Sequence, residues 1–180
     1  MIWIRLLVMG LMVGGTATGA MAADKVADLQ KALSAQESAL IQGASAAGVD
    51  QFHKIQAAHG TLRAVEDVQA ALARGVASCA KHNKEQGFAM QNQFQAWKNA
   101  VLPVVRQGQN RLDKMVLTQG FAKPTAVRDY LTAYTAFVTA QKGSVVDVPV
   151  SDPTACQAMM DQMDQTQKTM AAMIRETLGL

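Results

Sequence analysis

The stretch DQFHKIQAAHGTLRAVEDVQAALARGVASCAKHN, residues 50–83, decides the fold. Phe52, Ile55, His59, Leu62, Val65, Leu72, Val76 and Cys79 recur at spacings of three and four or their sums. That period places them on one face of an α-helix. The stretch holds no proline, and Asp50 stands where a side-chain oxygen caps the first free amides. Residues 85–118 repeat the pattern with Phe94, Trp97, Val101, Val104 or Val105, Gly108, Leu112 and Met115. At 1.5 Å per residue each helix is about 50 Å long. The pair reads as an antiparallel hairpin turning between His82 and Gly87. Pro103 lies inside the second helix, lacks an N–H and crowds the carbonyl of Asn99, so a kink is expected there.

Working outward, a helix over 24–47 carries Val26, Leu29, Leu33, Leu40 and Ala44 and is expected to stop at Gly48. Thr118 to Pro124 reads as a loop. A helix over 125–142 follows, with Val127, Leu131, Tyr134 and Val138 on one face. The segment from Gly143 to Pro153, with Val145, Val146, Val148 and Val150, reads as an extended connection. Asp152 as N-cap and Pro153 at the first helical position start the last helix, which runs to about Leu178. Its stripe is Cys156, Met159 or Met160, Met163, Met170, Ile174 and Leu178. No strand pattern of useful length appears. Aromatics are only 5% of the chain, and good helix formers dominate. The fold class is therefore all-α, an elongated up-and-down helical bundle of four to five helices.

Ahead of these helices, Met1 to Ala22 has one early charge, Arg5, and an apolar run from Leu6 to Val13. Small residues follow, ending Ala20-Met21-Ala22. This is the pattern of a secretory signal peptide, with cleavage expected before Ala23. The apolar run is short of the ~20 residues of a membrane span. Retention as an N-terminal anchor is the alternative. Domain organisation is then 1–22 as leader and 23–180 as one helical-bundle domain. No second stretch reaches membrane length, so no stable span is expected after cleavage. With Arg5 gone, 16 basic residues face 14 acidic ones, a formal charge of +2. No basic run interleaved with aromatics appears, which argues against nucleic acid as a partner.

Two cysteines, Cys79 and Cys156, remain in a chain read as exported. An even count in an oxidising compartment reads as a disulfide. In an up-and-down bundle the end of the second helix and the start of the fifth share a pole, which brings these two together. On the chain-entropy account such a bridge stabilises the fold by ~4–5 kcal/mol.

Other candidate chemistry is weighed against ordinary packing. Five methionines, Met159, Met160, Met163, Met170 and Met173, lie on the last helix. Thioethers bind Cu(I), and a copper carrier would use Met160 and Met163 with His59 or His82. The same methionines keep bundle spacing across four turns, so core filling is the expected role. Cys79, His82 and Cys156 are a possible zinc set, one ligand short. His59 lies on the apolar stripe and is expected to be buried in the seam with the preceding or following helix, with His53 exposed. Haem attachment lacks Cys-x-x-Cys-His, and a di-iron site lacks Glu-x-x-His. No nucleophile elbow, phosphate-binding loop or His-Glu-x-x-His occurs. The expectation is a periplasmic or secreted protein with no cofactor and no catalytic activity. It would act by contact with a protein partner in the cell envelope, as accessory subunit, adaptor or chaperone-like factor.

Overall fold

A computed structural model describes residues 18–143 and 150–180, with side chains from residue 23 onward. It contains five helices: α1 (Thr18–Ile41), α2 (Ala46–His82), α3 (Lys84–Thr118), α4 (Pro124–Lys142) and α5 (Pro153–Leu178). Among the described residues there is no strand, and the chain is an all-α bundle. No helix among them is long and apolar enough to cross a membrane. Residues 1–17, the bulk of the expected leader, lie outside the described residues, as do Val145, Val146 and Val148. α1 begins at Thr18 and runs through the expected junction before Ala23.

The two long helices form the expected hairpin, but the turn is tighter than the sequence suggested. Asn83 alone separates them: its N–H donates to the Cys79 carbonyl, and its own carbonyl accepts from the amides of Gln86 and Gly87. Gly87 is not a turn residue. It sits inside α3, where a Cβ would lie 3.1 Å from the Ala80 backbone, so its missing side chain lets the hairpin close. Gly108 plays the same part further along, facing Leu62 and Ile174. α3 continues through Pro103, which stands on the exposed face. The carbonyl left without its amide partner, that of Asn99, is likewise on an exposed residue, so water can satisfy it.

The start of α2 differs from the sequence reading. α1 ends at Ile41 rather than near 47, Gly43 takes the left-handed conformation at φ +78°, and Ser45 is the N-cap. The Ser45 hydroxyl accepts from the amide of Gly48, 3.2 Å away. Gly48 therefore lies in the first turn of α2, and Asp50 pairs with Lys54 instead of capping. The loop after α3 is organised by Gln119, which is buried. Its Oε1 accepts from the amides of Phe121 and Ala122, and its Nε2 donates to the Ala122 carbonyl. Pro124 and Pro153 occupy first helical turns, and Asp152 caps α5 through the amide of Ala155.

Contacts along the chain set the directions. Gln56 meets Tyr130, His59 meets Thr135 and Asp67 meets Lys142, so α4 runs parallel to α2. Thr61 meets Thr177 while Cys79 meets Cys156, so α5 runs antiparallel to α2. α2, α3 and α5 pack on one another along their lengths, whereas α1 packs mainly on α4. Trp97, Val101, Met163 and Ile174 are fully buried in the three-helix part. Phe52, Phe121 and Tyr130 form an aromatic cluster where α4 joins it.

Candidate functional site in the cleft between α3 and α4

Cys79 and Cys156 are bonded, with Cα atoms 5.9 Å apart, inside the range a bridge needs. Both are fully buried, and Asn83 Nδ2 ties the site to the incoming chain by donating to the Ser151 carbonyl. The zinc reading of Cys79, His82 and Cys156 is thereby corrected, because neither sulfur is available as a thiolate ligand. His82 is exposed, and its Nδ1 donates to the Ser78 carbonyl.

The two histidines offered for a copper site with Met160 and Met163 lie far apart, so at most one of them could join the methionines. His59 and His82 are on the same helix, twenty-three residues apart, which is about 35 Å. Met163 is 1% exposed, at the centre of the α5 stripe, and Met160 is half-buried. The Met159 sulfur sits in the notch left by Gly75, where a Cβ would lie 2.6 Å from it. These thioethers therefore pack, with α5 presenting them to α2 and α3. Among the described residues no three His, Cys, Asp or Glu side chains are gathered as metal ligands.

An opening that gathers polar groups lies elsewhere. α3 and α4 touch only sparsely, and a cleft of about 540 Å³ lies between them. Such a volume falls in the range of ligand sites. Leu112 and Val116 of α3 and Leu131 and Ala136 of α4 make its apolar walls. Asp113 and Arg128 stand on opposite rims, and His59 of α2 contributes to its lining. His53 is exposed, as expected, and His59 is half-buried. His59 lines the cleft together with Leu112 and Val116 of α3, the following helix, but its hydrogen bond goes to α4, a neighbour the expected seam did not include.

The hydrogen bonds of Thr135 frame the state of His59. The Thr135 hydroxyl donates to the Leu131 carbonyl at 3.0 Å, so its lone pair is what His59 Nε2 meets at 2.8 Å. The imidazole then carries its proton on Nε2 and leaves Nδ1 as an acceptor. Burial, followed by the nearby Arg63 guanidinium, holds the His59 pKa below its ordinary value, so the ring is neutral near pH 7. With the Thr135 proton directed to the Leu131 carbonyl, the histidine donates to the hydroxyl, whereas activating a nucleophile needs a base that accepts its proton.

One turn away, a second polar group was not foreseen. Tyr130 accepts from Gln56 Nε2 and donates to Glu37 Oε2 at 3.3 Å, joining α4 to both α2 and α1. Burial, and then the Glu37 charge, push its hydroxyl above the ordinary tyrosine pKa. Arg128, Leu131, Thr132 and Thr135 recur at three and four on α4, which was the available signal for the cleft wall.

Comparison with protein-family models, with curated proteins and with solved structures finds no match to this chain.

Proposed function

We propose that this chain is an exported helical-bundle protein that works by contact with a protein partner in the cell envelope, as accessory subunit, adaptor or chaperone-like factor, without catalytic activity. Its compartment is periplasmic or secreted, with no nucleic acid partner and no resident cofactor. The observation that carries the reading is the fully buried Cys79–Cys156 bridge, a feature suited to an oxidising compartment. The leader pattern of Met1 to Ala22 points the same way. The cleft supports the contact role. It offers apolar walls and oppositely charged rims, and its one histidine is arranged as a hydrogen-bond donor to threonine rather than as a base. Leu117, 58% exposed, lies one helical turn from Asp113 on the α3 side.

The test is site-specific photocrosslinking in cells. A crosslinker at Thr132, on the cleft wall, is expected to capture one discrete envelope protein, while a control at Gln165, on the exposed face of α5, does not. Equal capture from both positions, or none from Thr132, would remove the contact reading.

A further inference from the structure

α1 is attached to the rest of the molecule differently from the other four helices. Among its described side chains, only Leu33 is buried, at 8% exposure. Val26, Leu29, Glu37, Leu40 and Ile41 are half-buried, and the other described side chains of α1 are exposed. Among the described residues α1 touches neither α3 nor α5, and it meets α2 only slightly. Its main neighbour is α4. One side-chain hydrogen bond is recorded between it and another helix, from Tyr130 to Glu37. Its link to α2 is four residues long and contains Gly43 at φ +78°, with nothing within 4 Å of where a Cβ would stand. Gly43 itself is therefore uncrowded on its Cβ side.

α4 also meets α2 and α3 only slightly, with α1 as its main neighbour, but side-chain ties hold it to α2. Phe52 and Phe121 hold its first turns through the aromatic cluster with Tyr130, His59 holds Thr135, and Asp67 pairs with Lys142. The bridge between Cys79 and Cys156 closes α2, α3 and α5 independently of α1. Local stability follows the number of buried apolar contacts and the exposure of the backbone, so such a helix opens at lower free energy than its neighbours. On α4, Ala126, Tyr130, Ala133 and Phe137 share a face at helical spacing, and Tyr130 on that face bonds Glu37 of α1.

We propose that α1 is a releasable strap: it leaves α4 as one unit, turning about Gly43, while the other four helices stay closed. Release uncovers the α4 face of Ala126, Tyr130, Ala133 and Phe137. The inference does not depend on the partner reading, since it concerns the chain alone.

Native-state hydrogen exchange on the full chain, read by mass spectrometry of its peptides, tests it. Amides of residues 24–41 should exchange together, with protection on the order of 100-fold below that of α2, α3 and α5. Leu33→Ala should raise exchange in residues 24–41 by about tenfold more and leave α2, α3 and α5 unchanged. Peptides of α4 should remain protected in both proteins. Three results would overturn the proposal: protection of α1 equal to that of α2, loss of α1 and α4 together, or an equal response of all helices to Leu33→Ala.

Discussion

At the scale of single residues, His59 and Met163 carry opposite kinds of prediction. The folded chain holds the His59 pKa below its ordinary 6.5, so the folded state binds fewer protons than the unfolded state as pH falls through that value. Stability should therefore decline from about pH 7 downward and level off below the folded-state pKa. Urea midpoints measured for wild type and His59→Gln between about pH 7.5 and 5 check this: the wild type should lose more over that window, and parallel profiles would contradict it. Met163 fills the core from α5, so Met163→Ala should cost about 2–5 kcal/mol by thermal or urea unfolding. A copper role predicts a different outcome, little loss of stability and a clear loss of stoichiometric Cu(I) binding in a reducing titration. The burial of Met163 was legible because core packing imposes a period on sequence. Tyr130 and Gln119 were not legible, because their partners (Glu37 and Gln56, and the loop amides) are chosen by tertiary geometry that no spacing encodes.

At the scale of elements, the starts of helices separate strong signals from weak ones. Asp152 followed by Pro153 combines a capping oxygen with a preset φ, and α5 begins there. The stretch from Gly43 to Asp50 offers two glycines, a serine and an aspartate close together, and local propensity does not choose between them. Gly43 resolves it by taking the left-handed conformation, which leaves Ser45 extended and in reach of the Gly48 amide. Ser45→Ala should therefore destabilise the fold by about 1 kcal/mol, whereas Asp50→Ala, which removes only an exposed pair with Lys54, should change it by less than about 0.5 kcal/mol. Thermal unfolding of the two variants decides between the caps, and the reverse order would restore Asp50. Gly87 shows a related ambiguity. A glycine near a hairpin turn also serves where two helices approach closely, and here it does the second.

At the scale of the whole molecule, the order of helices along the bundle was legible and their lateral arrangement was not. Spacing gives each helix a buried face but not the neighbour that covers it. It did not show that α5 packs against α3 while α1 packs mainly on α4, or that α3 and α4 part to leave a cleft. The bridge was legible because topology and cysteine count agree without needing that arrangement. It closes a separation of 77 residues, so the paired Cys79→Ser and Cys156→Ser variant should lose up to about 4–5 kcal/mol. A fall confined to a few tenths would show that the bridge constrains little. The central claim, an exported bundle closed by one disulfide, meets its most direct test in the intact mass of the protein taken from the cell envelope without reduction. The predicted species begins at Ala23 and is two hydrogens lighter than its reduced form. A chain retaining Met1 to Ala22, with both thiols free to alkylate and recovered from the cytosol, would contradict it.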